Sequence, residues 1–220
     1  PRSRRARAGA ACGAAGRRGK TRAEGWGSTE RPLGAADQAH WVFGYGSLML
    51  RPGFAFLERQ AATLHGRRRA FCIYSVHHRG TEARRGLVLG LAPGGSVRGM
   101  AYRIADADRA AVHAYLRERE QPTETYVEAR VAARLADGRR VEALAFLSDR
   151  SHPQWAGALS LERQAALIAG AEGLSGRNVE YLADLVAHLR EEGVRDRGME
   201  HLLAMVRDRE AAAAVGQALV

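Results

Sequence analysis

The sequence predicts a mixed α+β fold: a small sheet or barrel, one helix inserted in it, and further helices packed outside. Two observations carry this. From residue 41 to 147 the chain runs through short apolar or alternating stretches parted by Gly, Pro and charged turns, as strands do. After 147 the apolar residues recur at spacings of three and four, as on amphipathic helices. At 220 residues the chain is long enough to enclose a sizeable core.

Strands are expected over 41–45, 70–75, 86–91, 97–104, 126–135 and 141–147. The fifth is the clearest, with Val127, Ala129, Val131, Ala133 and Leu135 on one face and Glu128, Arg130 and Arg134 on the other. Ala136, Asp137 and Gly138 supply a hairpin turn into the sixth. The inserted helix starts at an Asp106 or Asp108 cap, carries Val112, Tyr115 and Leu116 on one stripe, and ends near Glu120. Pro122 disfavours helical geometry at Gln121 and sets that end. Further helices are expected over 161–171, from Ser175 to Asn178 through Leu182, Leu185, Val186 and Leu189, and around Met199, Leu202, Leu203 and Val206. This divides the chain into a tail (1–40), a catalytic domain (41–192) and a C-terminal helix packed on it or trailing it (193–220).

The net charge of +10 invites a nucleic-acid reading, and its location argues against one. Residues 1–40 hold nine Lys/Arg and three Asp/Glu, a balance of +6, which leaves +4 for the other 180 residues. That stretch is rich in Ala, Gly and Arg without apolar periodicity, so disorder is expected there, and an upstream extension explains it better than a functional arm. No nucleic-acid partner is expected. No apolar run suits a secretory signal or a membrane span. Cys12 in the tail and Cys72 in a strand make a poor disulfide framework, which fits a reducing cytoplasm.

Three polar clusters stand out. Phe43-Gly44-Tyr45-Gly46-Ser47-Leu48 closes a strand with two glycines, whose bare backbone lets N–H groups approach a carboxylate or carbonyl. It is not a nucleophile elbow, because Met49 stands where that motif needs Gly. Glu118-Arg119-Glu120 ends the inserted helix. A half-buried carboxylate at the negative end of a helix dipole has a raised pKa, which suits a general base. The plainer account is a solvated helix end. Ser75-Val76-His77-His78-Arg79-Gly80 offers Arg79 to a substrate carboxylate, or paired histidines to a metal without an evident third ligand. No Cys-x-x-Cys pair, His-Glu-x-x-His or phosphate-binding Gly loop is present, so neither metal nor cofactor is expected.

These clusters occur in an order that resembles the ChaC-type γ-glutamylcyclotransferases, which cleave glutathione. The matching pieces are Val42 through Leu48, Ser75 through Gly80, Gly86-Leu87-Val88-Leu89, Arg98-Gly99-Met100-Ala101-Tyr102-Arg103, Tyr115-Leu116 with Arg119-Glu120, and Ser175-Gly176-Arg177-Asn178 with Glu180-Tyr181-Leu182. They span about residues 41–190. The resemblance implies a γ-glutamylcyclotransferase-like barrel without cofactor and Glu120 as the catalytic carboxylate. It implies a substrate site made of Val42, Phe43, Gly44, Tyr45, Gly46, Ser47, Leu48, Ser75 and Arg79. Ser47 is then a positioning donor, since the substrate's own amine is the nucleophile. Two departures from the family pattern stand out. Gln121-Pro122-Thr123-Glu124-Thr125-Tyr126 replaces Lys-Gly-Gly-Tyr after the glutamate, and Phe146 stands where relatives often carry Tyr. Action on other γ-glutamyl amines, or a non-catalytic ligand-binding role, are the competing readings.

Overall fold

Residues 40–120 and 125–218 are described by a computed structural model. The basic stretch 1–39, with Cys12, and the altered loop 121–124 lie outside the described residues. Five strands close a barrel: β1 (His40–Gly44), β2 (Glu58–Ser75), β3 (Gly86–Ile104), β4 (Tyr126–Leu135) and β5 (Arg140–Ser148). Their order is β1-β3-β2-β4-β5, and a short parallel pairing of β1 with β5 at Trp41 and Val42 closes the ring. All other pairings are antiparallel.

The expected strands are present, with two corrections. The runs at 86–91 and 97–104 are one long strand, β3, which kinks where Gly94 and Gly95 take positive φ opposite a register slip between His65 and Arg67 of β2. The run expected at 70–75 begins at Glu58 instead. Its first half is dense in charge, yet Ala62, Leu64 and Arg69 are buried. On β4, Ala133 and Leu135 are core as expected, but Val127 is exposed.

The barrel residues Phe43, Leu87, Leu91, Ala101 and Tyr102 form one apolar cluster with Ile168, Leu182, Leu185, Val186, Met199, Leu202 and Val206. Those last residues come from α3 (Leu161–Ile168), α4 (Asn178–Glu191) and α5 (Arg197–Ala218), so the C-terminal helix is part of the core. A second cluster holds Val42, Leu48, Ile104, Val112, Leu116 and Phe146, and it seats α1 (Ser47–Leu50) and α2 (Arg109–Glu120) against β1 and β5. Burial of such side chains contributes about 1.5–3 kcal/mol each. Gly99 makes room for this arrangement, because a Cβ there would lie 2.3 Å from the Gly44 carbonyl and 2.7 Å from the Phe43 ring.

Local differences have local causes. The Gly-Ser loop expected after Tyr45 winds into the single turn α1, with the Met49 N–H donating to the Gly46 carbonyl at 2.9 Å. Asp106 to Asp108 form a 3-10 turn before α2, without a side-chain cap. Helix α3 stops at Ile168, not 171, because Gly170 follows at positive φ. The stretch 175–178 is not a capped helix start. Gly176 and Arg177 form β7, paired with Glu172 and Gly173 of β6, and α4 begins at Asn178. The Asn178 side chain serves β3 instead: its amide donates to the Leu87 carbonyl at 2.8 Å and accepts the Leu87 N–H at 2.7 Å. No helix among the described residues is long and apolar enough to cross a membrane.

Candidate active site

Where β1 gives way to α1, a pocket of about 420 Å³, open mouth included, is lined by Phe43 through Leu48, Leu89, Glu120, Tyr126, Phe146 and Tyr181. Several elements meet there. The chain leaves β1 through Gly44-Tyr45-Gly46, and Gly46 lies against Leu89 of β3, so closely that a Cβ would sit 3.0 Å from the leucine methyl. The end of α2 delivers Glu120, the start of β4 delivers Tyr126, and the first turns of α4 deliver Tyr181.

Glu120 keeps about a fifth of its side chain exposed, and one cation touches it, Arg119 Nε at 3.2 Å. Burial pushes its carboxyl above the usual range, and the Arg119 charge offsets this only in part. Arg119 also donates to the Ser47 hydroxyl at 3.2 Å, the Tyr115 hydroxyl at 2.8 Å and the Pro52 carbonyl at 3.2 Å. One guanidinium thus ties the carboxylate to the loop it faces.

The rest of the wall is phenolic. Tyr45 donates to the Phe146 carbonyl at 2.8 Å, and Tyr126 donates to the Leu89 carbonyl at 2.6 Å. Burial above all holds the Tyr45 and Tyr126 phenols well above their ordinary range, with the charge of Glu120 next for Tyr45, and burial also raises Tyr181. All three are neutral at physiological pH. Among the described residues no Lys or Arg lines the pocket, so an anion there meets N–H and O–H dipoles. The first turn of a helix leaves its N–H groups without intrahelical acceptors, and in α1 those belong to pocket residues. Among the described residues no His/Cys/Asp/Glu group is arranged to hold a metal.

The structure brings Phe43, Gly44, Tyr45, Gly46, Ser47, Leu48 and Glu120 together, as the sequence expects. It places Val42, Ser75 and Arg79 outside the lining. Val42 faces the apolar cluster under the loop. Ser75 is buried at the end of β2 and accepts the Arg79 N–H at 2.9 Å. The Arg79 guanidinium stacks 5.2 Å from the centre of the Tyr181 ring, so it backs a pocket wall from outside. Leu89, Tyr126 and Tyr181 were not expected as lining. Tyr181 is on the i−1 flank of Leu182, a place that reads as plain helix packing. Phe146 fills the wall with its ring and offers only its backbone carbonyl, already taken by Tyr45.

This fold is found among solved structures. A γ-glutamyl cyclotransferase specific to glutathione from yeast matches with a TM-score of 0.68 at 25% identity, over 77% of this chain and 96% of that one. The fold and site therefore define an enzyme of the γ-glutamylcyclotransferase class. The family described as ChaC-like protein matches residues 40–209, and the chain belongs to that family. The glutathione-specific γ-glutamylcyclotransferase of Escherichia coli K12 is 38% identical over 167 residues, 76% of this chain and 72% of the relative. The human glutathione-specific γ-glutamylcyclotransferase 1 is 32% identical over 173 residues, 77% and 78% of the two chains.

Proposed function

We propose that this enzyme cleaves glutathione to 5-oxoproline and Cys-Gly. The observation that carries the proposal is Glu120, the one carboxylate among the described residues that line the pocket, mostly buried, raised in pKa and set against the glycine loop. Chemistry that supplies its own nucleophile suits such a site. The substrate's α-amine attacks its own γ-carbonyl, a C–N bond forms to close the five-membered ring, and the amide C–N bond to cysteine breaks. The attack is intramolecular, so the pocket's task is to hold the chain folded.

Glu120 takes a proton from the attacking amine and gives it to the departing cysteine nitrogen, so no proton is gained or lost overall. A raised pKa brings its proton affinity closer to that of the groups it serves. Ser47 and the loop N–H groups hold the glutamyl carboxylate or the carbonyl oxygen, where negative charge develops. Tyr45, Tyr126 and Tyr181 shape the wall and exclude water while staying neutral. Ser75 and Arg79 act from behind, through Tyr181. A reducing cytoplasm fits both this substrate and Cys72, a buried thiol that burial pushes up to about 12.

Incubating the purified protein with glutathione, and in parallel with γ-glutamyl-alanine, tests the reading. Stoichiometric 5-oxoproline and Cys-Gly from glutathione is the expected result. Release of 5-oxoproline from γ-glutamyl-alanine alone would move the activity to other γ-glutamyl amines.

A further inference from the structure

Arg69 is the most deeply buried cation of the core, with 2% of its side chain exposed, and it does not line the pocket. Its partners all lie at the loop or beyond it. Nε donates to the Tyr45 carbonyl at 2.7 Å, and one terminal nitrogen donates to Met49 Sδ at 3.2 Å and to the Arg98 carbonyl. The other terminal nitrogen reaches Asp196 Oδ2 at 3.4 Å. Burying a guanidinium costs several kcal/mol unless its donors are satisfied. A charge placed only for stability would take a close carboxylate pairing. Here the carboxylate contact is the longest, and Nε is given to the backbone of the substrate loop. Burial lowers Arg69 only to about 10, so it carries its charge at neutral pH.

The peptide joining Tyr45 to Gly46 has its carbonyl pinned by this cation. In a trans peptide the N–H points opposite to the carbonyl, so the Gly46 N–H turns away from Arg69, and Tyr45 and Gly46 both line the pocket. That N–H has no acceptor in the protein among the described residues. A carbonyl that accepts a charged donor makes the N–H of the same amide a stronger donor. Asp196 holds the far end of Arg69 and is itself fixed at the start of α5, where Oδ1 accepts the Met199 N–H at 3.2 Å.

We propose that Arg69, anchored by Asp196, is a positioning residue of the reaction: it orients and polarises the Tyr45 peptide so that the Gly46 N–H donates to the γ-glutamyl group. The inference rests on the glutathione reading above. It also gives the C-terminal helix a part in the chemistry, since the anchor of the loop sits at its first turn.

The test uses the full chain as Arg69→Lys and Asp196→Asn. Lysine keeps the charge but cannot serve four acceptors in different directions. Asparagine keeps the capping oxygen of α5 and removes the anchor charge. Two quantities are read: kcat and KM for glutathione per folded molecule, with folding checked by thermal melting, and the ¹⁵N and ¹H shifts of the Gly46 amide. A donor that acts on developing charge is worth roughly a hundredfold when removed, so weakening it lowers kcat on the order of tenfold in Arg69→Lys, with KM changed much less. The Gly46 resonance moves in the same variant, and both effects recur in the same direction, smaller, in Asp196→Asn. A merely structural Arg69 would lower the melting temperature and leave kcat per folded molecule and the Gly46 shift in place, and that result overturns the proposal. If Arg69→Lys does not fold, Asp196→Asn decides by the same two readouts. A wild-type protein that makes no 5-oxoproline from glutathione sinks the substrate reading instead, and is told apart because it fails before any variant is compared.

Discussion

Glu120 and Glu128 stand on either side of one connection, and the fold treats them in opposite ways. Glu128, on β4, lies between two side chains of α2: His113, with Nε2 at 2.8 Å, and the cation Arg117, which bonds it through Nε and a terminal nitrogen. These partners hold its carboxyl below the usual range, the Arg117 bond most of all. Glu120, at the end of α2, has Arg119 as its one cation among the described residues and a wall of neutral phenols, and burial lifts its carboxyl. The difference teaches what separates a strut from a base. A carboxylate surrounded by cations is stabilised as an anion and gives up its proton affinity. One kept short of them retains it.

The largest effect should come from Glu120→Gln. Loss of general acid–base catalysis lowers 5-oxoproline formation by roughly a hundredfold to ten-thousandfold, measured as kcat with glutathione. The fold should not suffer. A carboxyl whose pKa is raised on folding binds its proton more tightly in the folded state, so its ionisation destabilises the protein as pH rises from the ordinary value of 4.5 through the raised one. At neutral pH the glutamine variant should therefore melt at the same temperature or higher. A variant that melts lower would place Glu120 among the struts.

Next in size is Arg119→Gln, which removes the one cation beside Glu120 and the tie to Ser47. Misplacing loop and carboxylate relative to each other costs roughly tenfold in kcat. The carboxyl of Glu120 should rise further, because the Arg119 charge was lowering it. An NMR titration of labelled glutamate carboxyls reads this directly, and an unchanged titration would mean that Arg119 does not set the base.

The smallest effect belongs to Glu128→Gln. Turnover should stay within about twofold, since Glu128 does not line the pocket. Stability should fall slightly, by about 2 °C in melting temperature, because its partners are largely exposed and screened. Here the sign is reversed. A carboxyl lowered on folding stabilises the protein above the ordinary value of 4.5, and that contribution is lost as pH falls through the lowered one. The gap between wild type and variant should thus close in acid.

The same contrast explains what the chain reveals before it is folded. The glycine loop and Glu120 are legible because each is a short local signal: an apolar strand ending in Gly-Tyr-Gly-Ser, and a carboxylate at a helix end before a proline. The phenols are harder to find. Tyr126 opens a strand and Tyr181 sits within a helix stripe, and only barrel closure brings both to Leu89. Arg69 is harder still. It lies in the run Arg67-Arg68-Arg69, which reads as a solvated charge cluster, and its partners Tyr45, Arg98 and Asp196 are scattered along the chain. The first half of β2 is hard to find for a related reason, since Glu58, which the register sets opposite Arg103, and Arg59 look in sequence like a loop. Arg79 was read as a hand on the substrate, whereas the fold stacks it behind Tyr181.

The central claim is that Glu120 is the base because the fold keeps it buried and short of cations. The pH dependence of kcat/KM for glutathione tests it most directly, in wild type, Arg119→Gln and Glu128→Gln together. The account predicts an acid limb in the wild type above the ordinary carboxylate value of 4.5, shifted further up in Arg119→Gln and unmoved in Glu128→Gln. A limb at or below that value, or one that follows Glu128 rather than Arg119, would contradict it.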